Sequence, residues 1–382
     1  MRIVLVVPGG VDPPGGSRVI PFLHDLVERL AADHHVRMIA VGHDPAPGSW
    51  TLFGAEVVNV PVGQHSRTDV ARVVREVTAL VGGGARSARP DVVHGWWATL
   101  PGLAATIAAR RHRTPSVLSI AGGELAWLPD IAYGGGGSPG TRTLARTAIG
   151  LATTVTVATE WMRAHVLGEG RRVDEIVPLG ADLRRWAIAD GRAADTDPLR
   201  LVHVGSANRV KDQTMLLHAL DLARRDEPGL RLDLVGLDTL DGEHDRLIAR
   251  LGLGGHVRRH GLVAHDAVPG LVRGAALHVV SSRHEAGPVA VLEAGALGVP
   301  TVGTSVGHVA DLAALTAPAA VAIERGGDGG AAALAAAIIA SLRDEAGRHA
   351  LGERALHWSR WHDADHTARS FEVIHRRLRR AR

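Results

Sequence analysis

The chain has 382 residues, 46% of them hydrophobic, with 46 glycines and 19 prolines. It is too long for one ordinary core and too apolar for disorder. A net charge of +3 argues against a nucleic-acid partner, and the lack of cysteine excludes disulfides, thiolate metal sites and a cysteine nucleophile. No stretch approaches about 18 uninterrupted apolar residues, so no transmembrane segment is expected. The sequence suits a cytoplasmic protein, with peripheral membrane contact left open.

The chain opens on "RIVLVVP", a buried strand too short for a signal sequence. The next stretch, "PGGVDPPGGSR", lacks the GxGxxG fingerprint and a P-loop lysine, which counts against a dinucleotide dehydrogenase. A helix is expected over 17–32, capped by Ser17. Gly15 and Gly16 at its N-terminus would let a phosphate or sugar approach bare amides; a plain turn is the other reading. Next come "VRMIAVG", "AEVVNVPV", a helix over 69–80, "DVVHGWW" closed by His94, a helix over 101–110, "PSVLSIAG", "TTVTVAT" and "EIVPLG". Short apolar runs alternating with helices predict a parallel sheet covered on both faces. "GGGGSPG" at 134–140 reads as a mobile loop, and the polar stretch 190–198 as a linker closing a first domain, 1–195.

The alternation restarts over 196–355 with "LRLVHVG", "LRLDLVG", "HVRRHG", "ALHVVSS", "PTVGT" and "AAVAI". The chain ends in Arg- and His-rich helices over 356–382 that could pack back on the first domain. Two doubly wound domains in tandem imply a cleft between them and ligands at the carboxyl ends of the strands.

Lys211, in "HVGSANRVKDQ", is the single lysine of the chain; arginine supplies the rest of its 43 Lys and Arg residues. A compact point charge suits a tight phosphate pocket better than a guanidinium does. A chance survivor on a helix surface is the competing explanation. In "SSRHEAGPVAVLEAGALGVP", Glu285 lies in the loop after a strand, and a helix begins near Gly287 and Pro288. Glu293 follows eight residues later, within a largely apolar helix where a carboxylate is costly unless paired. Together the two glutamates suit binding of hydroxyls, although a helix-dipole partner and a solvated helix residue are the plainer alternatives.

These stretches resemble the E-x7-E region, the strand–basic loop–helix and the pre-linker segment ("VPLGADLRRW") of retaining GT-B glycosyltransferases of family 4. The resemblance runs in order along most of the chain and is tightest over residues 200–312. It implies a GT-B fold: two Rossmann-like domains, acceptor side first and nucleotide-sugar side second. The implied activity is retaining hexosyl transfer from a nucleotide diphosphate sugar to a small-molecule, glycan or lipid-linked acceptor, without metal or other cofactor. By the same resemblance Lys211 contacts the diphosphate, Glu285 the transferred sugar and Glu293 the ribose, with Gly15, Gly16, Gly287 and Pro288 around the donor.

Two departures stand out. Ser206 replaces an arginine usual in the family, with Arg209 as a substitute cation, and Ala121 replaces a frequent histidine. His94, Trp97 and Glu124 are then the acceptor-side candidates, with a capped or packed histidine and core packing of the tryptophan as the plainer readings of the first two. A non-catalytic nucleotide- or carbohydrate-binding relative and a nucleotide-sugar epimerase stay open. The DxD strings Asp195–Asp197 and Asp363–Asp365 read as a solvated linker and a solvated tail helix. His362 and His366 lack a third metal ligand.

Overall fold

A computed structural model describes the chain except for residues 64–65, 84–88, 188–195, 328 and 382. It divides into two compact units, 1–179 with 364–382, and 180–363. The sequence-predicted linker thus falls inside the second unit's span, largely outside the described residues.

The first unit holds β1 (Arg2–Val7), α1 (Pro21–Asp33), β2 (His35–Val41), β3 (Gly48–Leu52), β4 (Ala55–Val60), α2 (Arg67–Gly82) and β5 (Val92–Trp96). It continues with α3 (Leu100–Arg111), β6 (Ser116–Ile120), α4 (Pro139–Leu151), β7 (Thr154–Val157), α5 (Glu160–Gly168) and β8 (Glu175–Ile176). The strands form one sheet in the order β3-β4-β2-β1-β5-β6-β7-β8, parallel except for β3. β1 and β5 to β7 are buried almost throughout, as expected of strands covered on both faces.

Three local expectations change. The first helix starts at Pro21, not near residue 17. Ile20 holds the cap position in extended geometry, and proline's fixed φ then starts the helix. The edge strand β3 was not foreseen; it turns into β4 through Phe53 and Gly54, whose φ values of 48° and 85° make a tight two-residue hairpin. The glycine run 134–137 is a packed turn. A Cβ on Gly134 or Gly135 would overlap the carbonyl oxygens of Ala126 and Glu124, and one on Gly137 the ring of Trp127.

The second unit contains β9 (Asp197–Val204), α6 (Gln213–Ala223), β10 (Arg231–Val235), α7 (Glu243–Arg250), β11 (Val257–Gly261), α8 (Val268–Val272) and β12 (Ala275–Val280). It ends with α9 (Val289–Ala296), β13 (Thr301–Thr304), α10 (Gly307–Ala313), β14 (Ala320–Ile323), α11 (Gly330–Arg343) and α12 (Glu345–Trp361). Its sheet is parallel throughout, in the order β11-β10-β9-β12-β13-β14. The strand order reverses at β9 and β12, which places a ligand-binding switch point at their carboxyl ends. A cluster including Leu216, Leu220, Leu232, Leu277 and Ile338 fills the space between sheet and helices.

The last helix, α13 (Ala364–Arg380), belongs to the first unit, whereas α12 belongs to the second. Ala364, Thr367, Ala368, Phe371, Ile374, His375 and Leu378 form its buried stripe at helical spacing. It is fixed by Arg29–Asp365, by His34–Glu372 at 2.8 Å and by Thr367 Oγ1 donating to Pro178 O at 2.6 Å.

Burial lowers the pKa of His203 to about 4 and of His278, His308 and His375 to about 3. These rings stay neutral in the fold, while the unfolded chain takes up protons below about pH 6.5. Their contribution is therefore intact above pH 6.5 and is lost as pH falls towards the folded-state values. Stability should drop by about 1 kcal/mol per histidine between pH 6.5 and 5.5. His308→Phe, replacing a ring whose two nitrogens have no partner among the described residues, should remove one such increment in paired denaturant titrations.

Candidate functional site

Two loops meet at the switch point of the second sheet. The loop after β9 carries Ser206, Arg209 and Lys211; the loop after β12 carries Glu285, Gly287 and Pro288. They are tied by Arg283 N donating to Val210 O at 2.7 Å and by Ser281 Oγ donating to Lys211 O at 2.8 Å. Lys211 Nζ then donates to Glu285 Oε1 at 2.5 Å, and Ser282 Oγ donates to the same oxygen at 2.7 Å. The pair is mostly but not fully covered, with side-chain exposures of 25% and 14%.

The floor of this site is also specified. His203, at the end of β9, donates from Nδ1 to Val279 O at 2.8 Å, so its Nε2 is the acceptor for Gln213 Nε2 at 3.2 Å. Gln213 also donates to Ser206 O at 3.0 Å, which holds the loop back against its own helix. Asp212, at φ 49°, caps α6 through Met215 N and accepts two bonds from Arg325. Gly307, at φ 50°, lies under the Glu285 loop. A Cβ there would come within 2.6 Å of Pro288 Cδ and 3.0 Å of Glu285 O.

Lys211 and Glu285 are therefore brought together. Glu293 lies separately in α9, buried, with Oε1 accepting from His265 Nε2 at 3.1 Å; the solvated-residue reading does not hold. Pro288 is the cap residue of α9 rather than a member of its first turn. Arg209 is exposed and paired with Glu243 at 3.0 Å, and Ser206 is exposed. His265, Ser282 and Gly307 were not singled out in the sequence. Ser282-x-x-Glu285 has capping-box spacing and was the available signal; His265 and Gly307 gave none.

In the first unit, Gly15 and Gly16 lie in the loop before α1, not at its N-terminus, because Asp12 organises that loop. Its carboxylate accepts from Arg18 N, Arg18 Nη2 and His43 Nε2 at 2.8–2.9 Å. Ser17 caps nothing. His94 is a packed core residue in the middle of β5. Nε2 bonds Ser119 Oγ at 2.8 Å, Nδ1 lies 3.3 Å from His375 Nε2, and burial holds its pKa well below the usual histidine range. It is therefore withdrawn as a reacting group. Trp97, at φ 60°, packs on Phe22.

Glu124 is buried, and its carboxylate gathers three backbone amides: Ala98 and Ala121 on Oε1, Gly122 on Oε2, at 2.8–3.2 Å. Burial raises its pKa and these bonds partly offset the rise. It borders a cavity of about 660 Å³ whose residues all belong to the first unit.

The DxD strings do not converge on either place. Asp195 is outside the described residues, and Asp197 opens β9 and pairs with Arg231. Asp363 falls between α12 and α13, not on the tail helix as expected, and Asp365 pairs with Arg29. The same helix break separates His362 from His366. Among the described residues no cluster of three or more His, Asp or Glu gathers as a metal site.

A sheet pair of this kind, with cation and carboxylate at one switch point, defines a Rossmann-type ligand-binding protein. Comparison with known proteins narrows the class. Residues 184–358 match "Glycosyl transferases group 1", and residues 19–182 match "Glycosyl transferase 4-like domain". The chain belongs to the GT-B glycosyltransferases of the family-4 type. It is 30% identical over 248 residues to D-inositol 3-phosphate glycosyltransferase of Streptomyces avermitilis, an alignment covering 59% of this chain and 52% of that protein. The chain thus spans about half the length of that curated relative. Its fold is similar to sucrose-phosphate synthase from Thermosynechococcus elongatus (TM-score 0.80, 20% identity, 100% of both chains). It is also similar to Anabaena HepE in complex with UDP and glucose (TM-score 0.69, 19% identity, 97% of this chain and 98% of that one).

Gly307→Ala should force the Glu285 loop outward. The expected cost is about 1–3 kcal/mol of stability, read by thermal denaturation and accompanied by weaker ligand binding at Lys211.

Proposed function

We infer that the protein moves a hexosyl unit from a nucleotide diphosphate sugar to an acceptor hydroxyl, with retention of anomeric configuration. The observation that carries this reading is the meeting of Lys211 and Glu285 at 2.5 Å, at the carboxyl ends of the two switch-point strands. An ammonium group has three donors, and Glu285 occupies one, so Lys211 can still hold a diphosphate. As the glycosidic bond breaks, negative charge grows on the departing diphosphate, and a fixed cation in a partly desolvated site stabilises it. A phosphate oxygen of that leaving group then takes the acceptor's proton, so no separate carboxylate base is required. HepE bound to UDP and glucose, a protein of similar fold, supports a nucleotide-sugar donor.

In this reading Glu285 orients the transferred sugar. Glu293, with one oxygen engaged by His265, offers the other to the ribose hydroxyls. Ser206, Gly287 and Pro288 complete the donor surroundings in the second unit, and the cavity beside Glu124, with Trp97 nearby in the chain, serves the acceptor. The reaction takes place in the cytoplasm. Arg209 favours a second reading, a non-catalytic nucleotide binder, because its guanidinium is already held by Glu243 and Ser206 adds no charge. Release of nucleoside diphosphate from UDP-glucose or GDP-mannose with an acceptor present separates the two.

Lys211→Ala should weaken nucleoside diphosphate binding by roughly 1.5–3 kcal/mol in calorimetry, the value of a charge-assisted contact. Glu285→Gln should lower turnover with nucleotide affinity kept, and Glu293→Gln should lower nucleotide affinity; losses of affinity alone in both would refute the division. Transfer in excess EDTA should run at close to its untreated rate, since the protein supplies the cation. Activity lost with chelator and restored by Mg²⁺ or Mn²⁺ would overturn this.

A further inference from the structure

The cavity of the first unit lies beyond the carboxyl ends of β1, β2 and β5 and is closed by the start of α4. At about 660 Å³ it has the size of a small-molecule site. Val41, Val62, Leu100, Pro101 and Leu144 give it apolar walls, and Thr99 and Thr141 add hydroxyls. Its two ionisable acids are Glu124 and Asp44, and among the described residues no arginine or lysine lines it.

The Glu124 carboxyl group accepts from the backbone N–H groups of Ala98, Ala121 and Gly122 and from its own N–H, bonds that favour the ionised form against the burial that opposes it. Asp44 accepts from Arg18 Nη1 at 2.9 Å, and that half-exposed guanidinium, which also serves Asp12 and His43 O, does not line the cavity itself. His43 also lines the cavity, with Nε2 committed to Asp12 at 2.8 Å. A phosphate entering this space would meet two acidic side chains and, among the described residues, no lysine or arginine in the wall, so its charge would be desolvated without compensation.

We propose that this cavity binds an uncharged, hydroxyl-bearing acceptor with an apolar face, such as a glycoside with an aliphatic or aromatic aglycone, and rejects its phosphorylated counterparts. The ligand's hydroxyls meet the polar groups of Thr99, Thr141 and Asp44, and the aglycone lies against the Val41, Leu100 and Leu144 side. This rests on the transferase reading only for the word acceptor; the binding preference itself is independent of it. It contrasts with the relative named for inositol 3-phosphate, whose acceptor carries the group this cavity excludes.

The test uses the full chain with UDP present and matched probes, phenyl β-glucoside and phenyl β-glucoside 6-phosphate. Binding is read by ligand-observed NMR and calorimetry. The uncharged glucoside should bind at least tenfold more tightly than its phosphate. Leu144→Trp, which fills the cavity from the α4 side, should abolish glucoside binding while UDP affinity is kept. Asp44→Asn should narrow the gap between the probes; it keeps the fold testable if Glu124→Gln, which sets an amide against backbone N–H groups, does not fold. Equal or tighter binding of the phosphate, or glucoside binding unchanged in Leu144→Trp, would overturn the proposal. Glucoside binding as expected with no transfer from any nucleotide sugar would instead remove the transferase reading and leave the cavity assignment standing.

Discussion

The contact between Lys211 and Glu285 sets most of what surrounds it in the second unit. Two loops that follow neighbouring strands must close on one another for these charges to meet, and each is pinned before they do. The β9 loop is held by Gln213 and Asp212, and the β12 loop by Ser282 and the hydrogen bond from Arg283 N to Val210 O. A mostly covered ion pair is a weak source of stability, because desolvation offsets much of the attraction. Its value here is positional. The lysine is kept from reaching into solvent, and the glutamate from turning towards its own helix. A diphosphate that binds Lys211 then meets a cation already in place, which is what electrostatic stabilisation of a leaving group requires.

The first unit solves a similar problem without a cation. Glu124 sits beyond β6 and draws in the amides of Ala98, Ala121 and Gly122, so one carboxylate fixes the ends of two adjacent strands, β5 and β6. The glycine run 134–137 lies flat on the segment that carries Glu124. Side chains there would collide with the carbonyls of Glu124 and Ala126, so the run's composition reflects close backbone approach, not looseness. The missing histidine at Ala121 has a consequence in the same place: the position contributes its backbone N–H to Glu124 and no side-chain chemistry.

How far the sequence disclosed this depends on the range of the interaction. The two doubly wound units were legible because each buried parallel strand is a short apolar run between helical patterns. β3 was not, since "GSWTL" alternates weakly and its turn uses Phe53 where asparagine or aspartate is the usual signal. Lys211, Glu285 and Glu293 could be picked out because composition made the lysine rare and apolar context made the glutamates costly. His94 was left between a reacting and a packed histidine for the opposite reason. Its burial comes from a helix 281 residues further along the chain, which no local pattern announces. His265 and Gly307 likewise matter through neighbours distant in sequence. Ser17 failed as a cap because the Asp12 network holds its loop in a closed turn ahead of Pro21.

Viewed through their chemistry, the two units treat anions oppositely. The second places a lysine beside a carboxylate and keeps two ammonium donors for an incoming phosphate. The first has two acids in its cavity wall, and the nearby Arg18, which bonds Asp12, Asp44 and His43 O, lies outside that wall. A chain so rich in arginine could easily have put one in that cavity; instead its wall is aliphatic with a single deep carboxylate. If the two substrates are divided as proposed, that asymmetry gives them distinct addresses. In the proposed reading, a phosphate-bearing donor meets Lys211 in the second unit, and a neutral acceptor with an apolar face gains most from the first unit's cavity. Misplacement of the donor in the acceptor's cavity is then disfavoured by charge rather than by shape.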